Sequence, residues 1–172
     1  MDHVASQVFL VPIIAWVAVL VGTGFDLGRG PRPITLGRIV DRFARWVSLV
    51  PLGLMGLWGF LGHVFFPAEA AASIGWAPSP FQTEVGMANL AIGLAGVVGF
   101  WVGPAAFRAA LGLMALGFLG GAGVVHLVEI ARTGNEAAGN AGPILYTDFL
   151  TPIAILAALA VQWLTTPKAA RV

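Results

Sequence analysis

The chain has 172 residues, 58% of them hydrophobic and 10% charged, with a mean hydropathy of +0.89. Soluble domains carry about 25% charged residues, so this composition predicts an integral membrane protein, and the length leaves room for a single membrane-embedded domain over residues 1–172. A net charge of +1 supplies no basic stripe to follow phosphates, which argues against nucleic acid as a partner, and a cysteine count of zero excludes disulfides, thiolate metal sites and thiol nucleophiles.

Five apolar stretches follow in order: Val4–Phe25, Trp46–Phe66, Val85–Val102, Ala105–Ala131 and Phe149–Trp163. The first four are near or above the ~20 residues that span a bilayer, and the fifth is expected to start earlier, around Tyr146. Backbone amides in hydrocarbon must pair within their own segment, so each stretch reads as a helix. The expected fold is all-α, an integral membrane helical bundle of about five transmembrane helices. Asp2 and His3 stand where a secretory leader would be positive, so Val4–Phe25 reads as a retained helix.

The connections carry their own signals. Thr35 is placed to cap a short interfacial helix whose Arg38, Arg42 and Arg45 share a face directed at anionic headgroups. Pro67–Ile74 reads as a short helix stopped by Gly75, with Trp76 at interfacial depth. Ser79, Pro80 and Gln82 form the pattern of a capping box opening the third span. The glycines at 53, 56, 59 and 62, those at 86, 93 and 96, and the Gly117/Gly121 pair predict faces where helices approach closely. Thr133–Leu145 repeats Gly-Asn at 134–135 and 139–140, which predicts a folded-back turn, either a lid over neighbouring polar groups or a plain connector.

Basic residues predict orientation. Arg29, Arg32, Arg38, Arg42 and Arg45 sit in one loop, and alternation puts Arg108, Lys168 and Arg171 on the same side, leaving Arg132 opposite. The positive-inside rule then places the C-terminus in the cytoplasm and the N-terminus outside. The acids Asp2, Glu69, Glu84, Glu129, Glu136 and Asp148 and the histidines His3, His63 and His126 map to the outer side.

Polar groups in an apolar helix are expensive and mark candidate sites. His63 ends the second span, His126 and Glu129 share a face of the fourth, Glu84 and Asn89 enter at the top of the third, and Asp148 at the top of the fifth. Asn140 and Tyr146 lie beside them in sequence and complete the candidate cluster. Three chemistries fit. His63, His126, Glu129, Glu84 and Asp148 supply the imidazole and carboxylate ligands of an Fe, Zn or Mn ion. His63 and His126 alone supply axial ligands for haem b. Without either, His and Glu exchange protons around a small molecule. The plain alternative is that each group caps a helix or bonds a loop and reaches water. At the level of function these become a metal- or haem-binding redox accessory protein, a structural subunit of a larger membrane complex or homo-oligomer, or a small membrane enzyme acting on a lipophilic substrate. No GxSxG, HExxH or dinucleotide fingerprint is present, so no catalytic residue is assigned.

Gly62-His63-Val64-Phe65-Phe66-Pro67, the block from Gly75-Trp76 to Asn89-Leu90, His126, and Gly139–Pro143 with Tyr146-Thr147-Asp148 resemble a family of small bacterial membrane proteins of unknown function, over roughly residues 55–155. The first of these elements is also similar, more distantly, to the DoxX-like group. That resemblance implies a four-helix core plus an N-terminal helix in a bacterial inner membrane, and no established activity.

Overall fold

The computed structural model describes residues 3–102 and 104–167, with side chains from residue 8 onward. Asp2, Gly103, Lys168, Arg171 and the His3 side chain lie outside the described residues. Among the described residues the chain is entirely helical and turn, without strands. The elements are α1 (His3–Arg29), α2 (Leu36–Phe65), α3 (Pro67–Ile74), α4 (Phe81–Trp101), α5 (Ala105–Thr133), α6 (Ala138–Ala141) and α7 (Pro143–Thr165). Five of them, α1, α2, α4, α5 and α7 (the last together with α6), are long and apolar enough to cross a membrane, in agreement with the hydropathy pattern.

Thr35 caps α2 as expected, its Oγ1 accepting from the Arg38 amide at 3.4 Å. The helix it opens is not separate from the second span. The chain passes Pro51 as a π-helical segment, Ser48–Leu54, and runs on without a break. Proline lacks the N–H of a regular turn, and the wider π turn carries its ring without ending the helix. The arginines also differ from a row facing headgroups. Arg45 turns inward, donating to Asp41 at 3.0 Å and to the Phe100 carbonyl at 3.1 Å, while Arg38 folds back on the Pro31 carbonyl.

α5 carries a second π-helical segment, Leu116–Gly120. α3 stops at Gly75, whose φ of 82° suits only a residue without a Cβ, as the sequence pattern predicts. The capping box does not form. Ser79 Oγ does accept from the Phe81 amide at 3.3 Å, but the Gln82 side chain reaches across to His63 instead of back to the cap.

The core draws on all five long helices: Ala15 and Val19, Val47 and Leu52, Ile92, Leu111 and Ala115, Ile155 and Leu159. Outside it, Ile14, Leu20, Val21, Leu113, Met114 and Leu164 are exposed, an apolar exterior suited to hydrocarbon and ill suited to water. Close packing of α2 on α4 runs through glycine. A Cβ on Gly56 would stand 2.9 Å from the Asn89 carbonyl and Gly93, and one on Gly96 2.5 Å from the Gly53 amide. The Gly117/Gly121 pair behaves otherwise: both are exposed and a Cβ on either meets nothing within 4 Å. Gly112 and Gly123 make the close approaches of α5, against Leu156 and Phe149 of α7.

One end of the bundle is fastened by charge. Arg108, 2% exposed at the start of α5, donates to Asp41 of α2 at 3.0 Å and to the Gly99 carbonyl of α4 at 3.2 Å. Gln162 of α7 donates to the same Asp41 oxygen at 3.3 Å. Three helices therefore meet on one carboxylate, and Arg108 and Arg45 tie a fourth, α4, to them through its Gly99 and Phe100 carbonyls.

Candidate functional site

At the opposite end the helices enclose a cleft of about 840 Å³ between α1, α2, α4, α5 and α7, roofed by α3 and the α5–α7 connection. Its walls are mostly apolar, and the π-helical segments of α2 and α5 contribute Pro51, Leu52, Phe118 and Leu119 to them. Such segments widen a helix locally and recur at functional sites. The polar lining is short: His63, Gln82, Asn89, His126, Thr147, Asp148 and Thr151, with Glu69 and two serines toward the roof.

His126 is 8% exposed, and its environment fixes its proton. Asn140, fully buried in α6, donates through Nδ2 to the Asn135 carbonyl at 2.7 Å. A carbonyl oxygen only accepts, so the amide has one possible orientation, and its Oδ1 is the atom 2.8 Å from His126 Nδ1. Nδ1 therefore carries a hydrogen. Nε2 faces Asp148 Oδ2 at 3.9 Å, an ion-pair distance beyond hydrogen-bond reach. The ring is also stacked on Trp76, 5.8 Å between centroids at 29°. Trp76 thus serves as a wall of the histidine site.

The connection between α5 and α7 is a lid, as one of the two sequence expectations has it. Gly134 turns the chain with φ of 69°, Asn135 Nδ2 donates to the Ile74 carbonyl of α3 at 2.9 Å, and Asn140 closes onto His126. On the other side of the cleft, the His63 Nδ1 and Gln82 Oε1 atoms are hydrogen-bonded, which ties α2 to α4. Asn89 donates to the Val85 carbonyl at 3.0 Å and packs over Gly59.

The candidate residues from sequence divide accordingly. His63, His126, Asp148 and Asn89 line the cleft, and Asn140 supports it from behind. Glu129 does not join them: its Oε1 accepts from Thr133 Oγ1 at 3.3 Å, one turn along its own helix. Glu84 is exposed in the first turn of α4, and Tyr146 is 70% exposed on α7. Among the described residues, no three His, Asp or Glu side chains are placed together to hold one metal ion. Asp148 lies in the second turn of α7, buried, and does not cap that helix.

Sequence reasoning missed Gln82, Trp76 and Asn135 as members of the site, and Arg108 as a structural centre. Gln82 was absorbed by a local capping pattern, and Trp76 by its position near a helix end. Arg108 had a visible signal: it is the one cation within an apolar stretch otherwise free of charge until Glu129.

A search of the curated proteins and a search of the solved structures each return no match. The family comparison does match, over residues 9–168, and it gives no support to a DoxX-like relationship. The chain belongs to DUF6790, a family of unknown function.

Proposed function

We propose that this protein is a membrane binding protein for a lipophilic small molecule, taken up into the cleft and recognised at its polar end by His63–Gln82 and His126–Asp148. The observation that supports this reading is the cleft itself. Its volume of about 840 Å³ lies within the range of small-molecule sites, its walls are mostly apolar, and its polar groups are few. Gly62 offers a direct test, because it lines the cleft and a Cβ there meets nothing within 4 Å. Wild-type protein is expected to retain one equivalent of the neutral dye Nile red when detergent is stripped in native mass spectrometry. Gly62→Phe is expected to retain none while keeping its helicity. Absence of the dye from wild type, or equal retention by both, overturns the reading.

A second reading keeps the cofactor: a haem b, or an Fe, Zn or Mn ion, held by His63 and His126. It is supported by the placement of both imidazoles on the same cleft. Elemental analysis and an absorption spectrum of detergent-purified protein decide it, since a Soret band lost in His63→Ala and His126→Ala would favour haem. An accessory role in a larger complex would instead appear as co-purification of a defined partner.

The proposed setting is a bacterial inner membrane, with the N-terminus outside and the C-terminus cytoplasmic. The chain lacks cysteine, and Glu136 is exposed in the lid. Glu136→Cys is therefore expected to react with an impermeant maleimide on intact cells. Reaction only after the cytoplasmic face is opened would reverse the orientation.

A further inference from the structure

The charge of the ligand can be read from the walls of the cleft, given the binding role proposed above. Among the described residues no lysine or arginine lines it, whereas Asp148 and Glu69 both do. Glu69 is exposed, in the first turn of α3. Asp148 is different, at 5% exposure and facing the interior of the cleft. No hydrogen bond reaches its carboxylate from the described residues, and the nearest basic atom, His126 Nε2, stands 3.9 Å away. Asp41, half-buried at the other end of the bundle, shows the contrast: Arg45, Arg108 and Gln162 all donate to it. A buried acid left without donors on a cavity wall calls for a positively charged or donating partner from the ligand side.

The rest of the wall narrows the class. Trp16, Trp58, Phe66, Trp76, Phe81 and Phe118 line the same cleft. Aromatic faces attract cations and apolar groups but offer nothing to an anion. The volume is too large and too apolar for a hydrated inorganic ion. We infer that the ligand is a lipophilic organic cation, its charge seated between Asp148 and the aromatic faces and its apolar groups filling the remainder of the cleft.

Tetraphenylphosphonium and tetraphenylborate test this, being nearly alike in size and shape and opposite in charge. Each is measured by equilibrium dialysis against the full-length protein in dodecyl maltoside, with protein-free micelles as the baseline. Wild type is expected to bind the phosphonium at least about tenfold more tightly than the borate, the scale of one charge partner in a low-dielectric site. Asp148→Asn is expected to lose that preference and Glu84→Gln, at an exposed acid outside the cleft, to keep it. Equal or reversed preference in wild type overturns the inference, as does a preference that survives Asp148→Asn or disappears in Glu84→Gln. Should Asp148→Asn fail to fold, the two-ion comparison on wild type still decides. Wild type that retains Nile red yet binds the two ions equally would sink the cation assignment alone, whereas wild type that binds neither dye nor ions would sink the cleft reading with it.

Discussion

Asn140→Leu is the substitution that most directly tests how the lid and the histidine are joined. The side chain is fully buried, and leucine keeps roughly its bulk while removing both hydrogen bonds. The Asn135 carbonyl loses its donor at 2.7 Å, and His126 Nδ1–H loses its acceptor at 2.8 Å. A buried polar group stranded in this way costs about 1–3 kcal/mol, so the two together amount to about 2–6 kcal/mol. Against a typical stability of about 5–15 kcal/mol that is a large fraction. The value falls toward the lower end if His126 turns to a new acceptor.

The measurement is SDS-induced unfolding in mixed micelles, followed by far-ultraviolet circular dichroism, with hydrogen exchange across residues 134–142. The unfolding equilibrium is expected to shift by about thirtyfold or more, with faster exchange in the lid as the Asn135–Ile74 tether loosens. A double-mutant cycle with His126→Phe, which retains a ring to stack on Trp76, isolates the shared bond. The double variant strands fewer groups than the two singles combined, so the costs should be sub-additive by about 1–3 kcal/mol. Strict additivity, or an Asn140→Leu variant within about 0.5 kcal/mol of wild type, would refute the hydrogen-bonded link.

Two further outcomes follow from the packing. Asp41→Asn strips the buried Arg108 of its carboxylate and is expected to destabilise by about 3–5 kcal/mol, with Arg108→Met added to it recovering most of the loss; a double variant no better than the single would refute the hub. Gly56→Ala forces a Cβ to within 2.9 Å of the α4 backbone and is expected to destabilise by about 1–3 kcal/mol. Gly117→Ala, with nothing within 4 Å, is expected to be neutral or stabilising by up to about 1 kcal/mol in the same unfolding assay.

The sequence by itself determined the all-helical class, the number of helices long and apolar enough to cross a membrane, and several of their ends. Those properties are local: hydropathy over about 20 residues, a Thr35 cap, a Gly75 stop and the pairing of backbone amides inside each helix. It also located the lid, and four of the cleft's polar side chains, His63, Asn89, His126 and Asp148, because polar groups stand out in an apolar run. What only the tertiary structure decided is which of those groups meet. Glu129 lies one turn from His126 in sequence yet bonds to Thr133 of its own helix, while Asn140, fourteen residues away, closes on the imidazole. Gln82 looked committed to its own cap and instead reaches His63, and Arg108 looked like one more basic residue and instead gathers helices around Asp41. The physical reason is rotational. Helical spacing says which residues share a face, but the direction of that face is set by how neighbouring helices pack, and here that depends on glycine contacts and π-helical segments. A single π turn re-aims every side chain beyond it, which the periodicity of the sequence does not record.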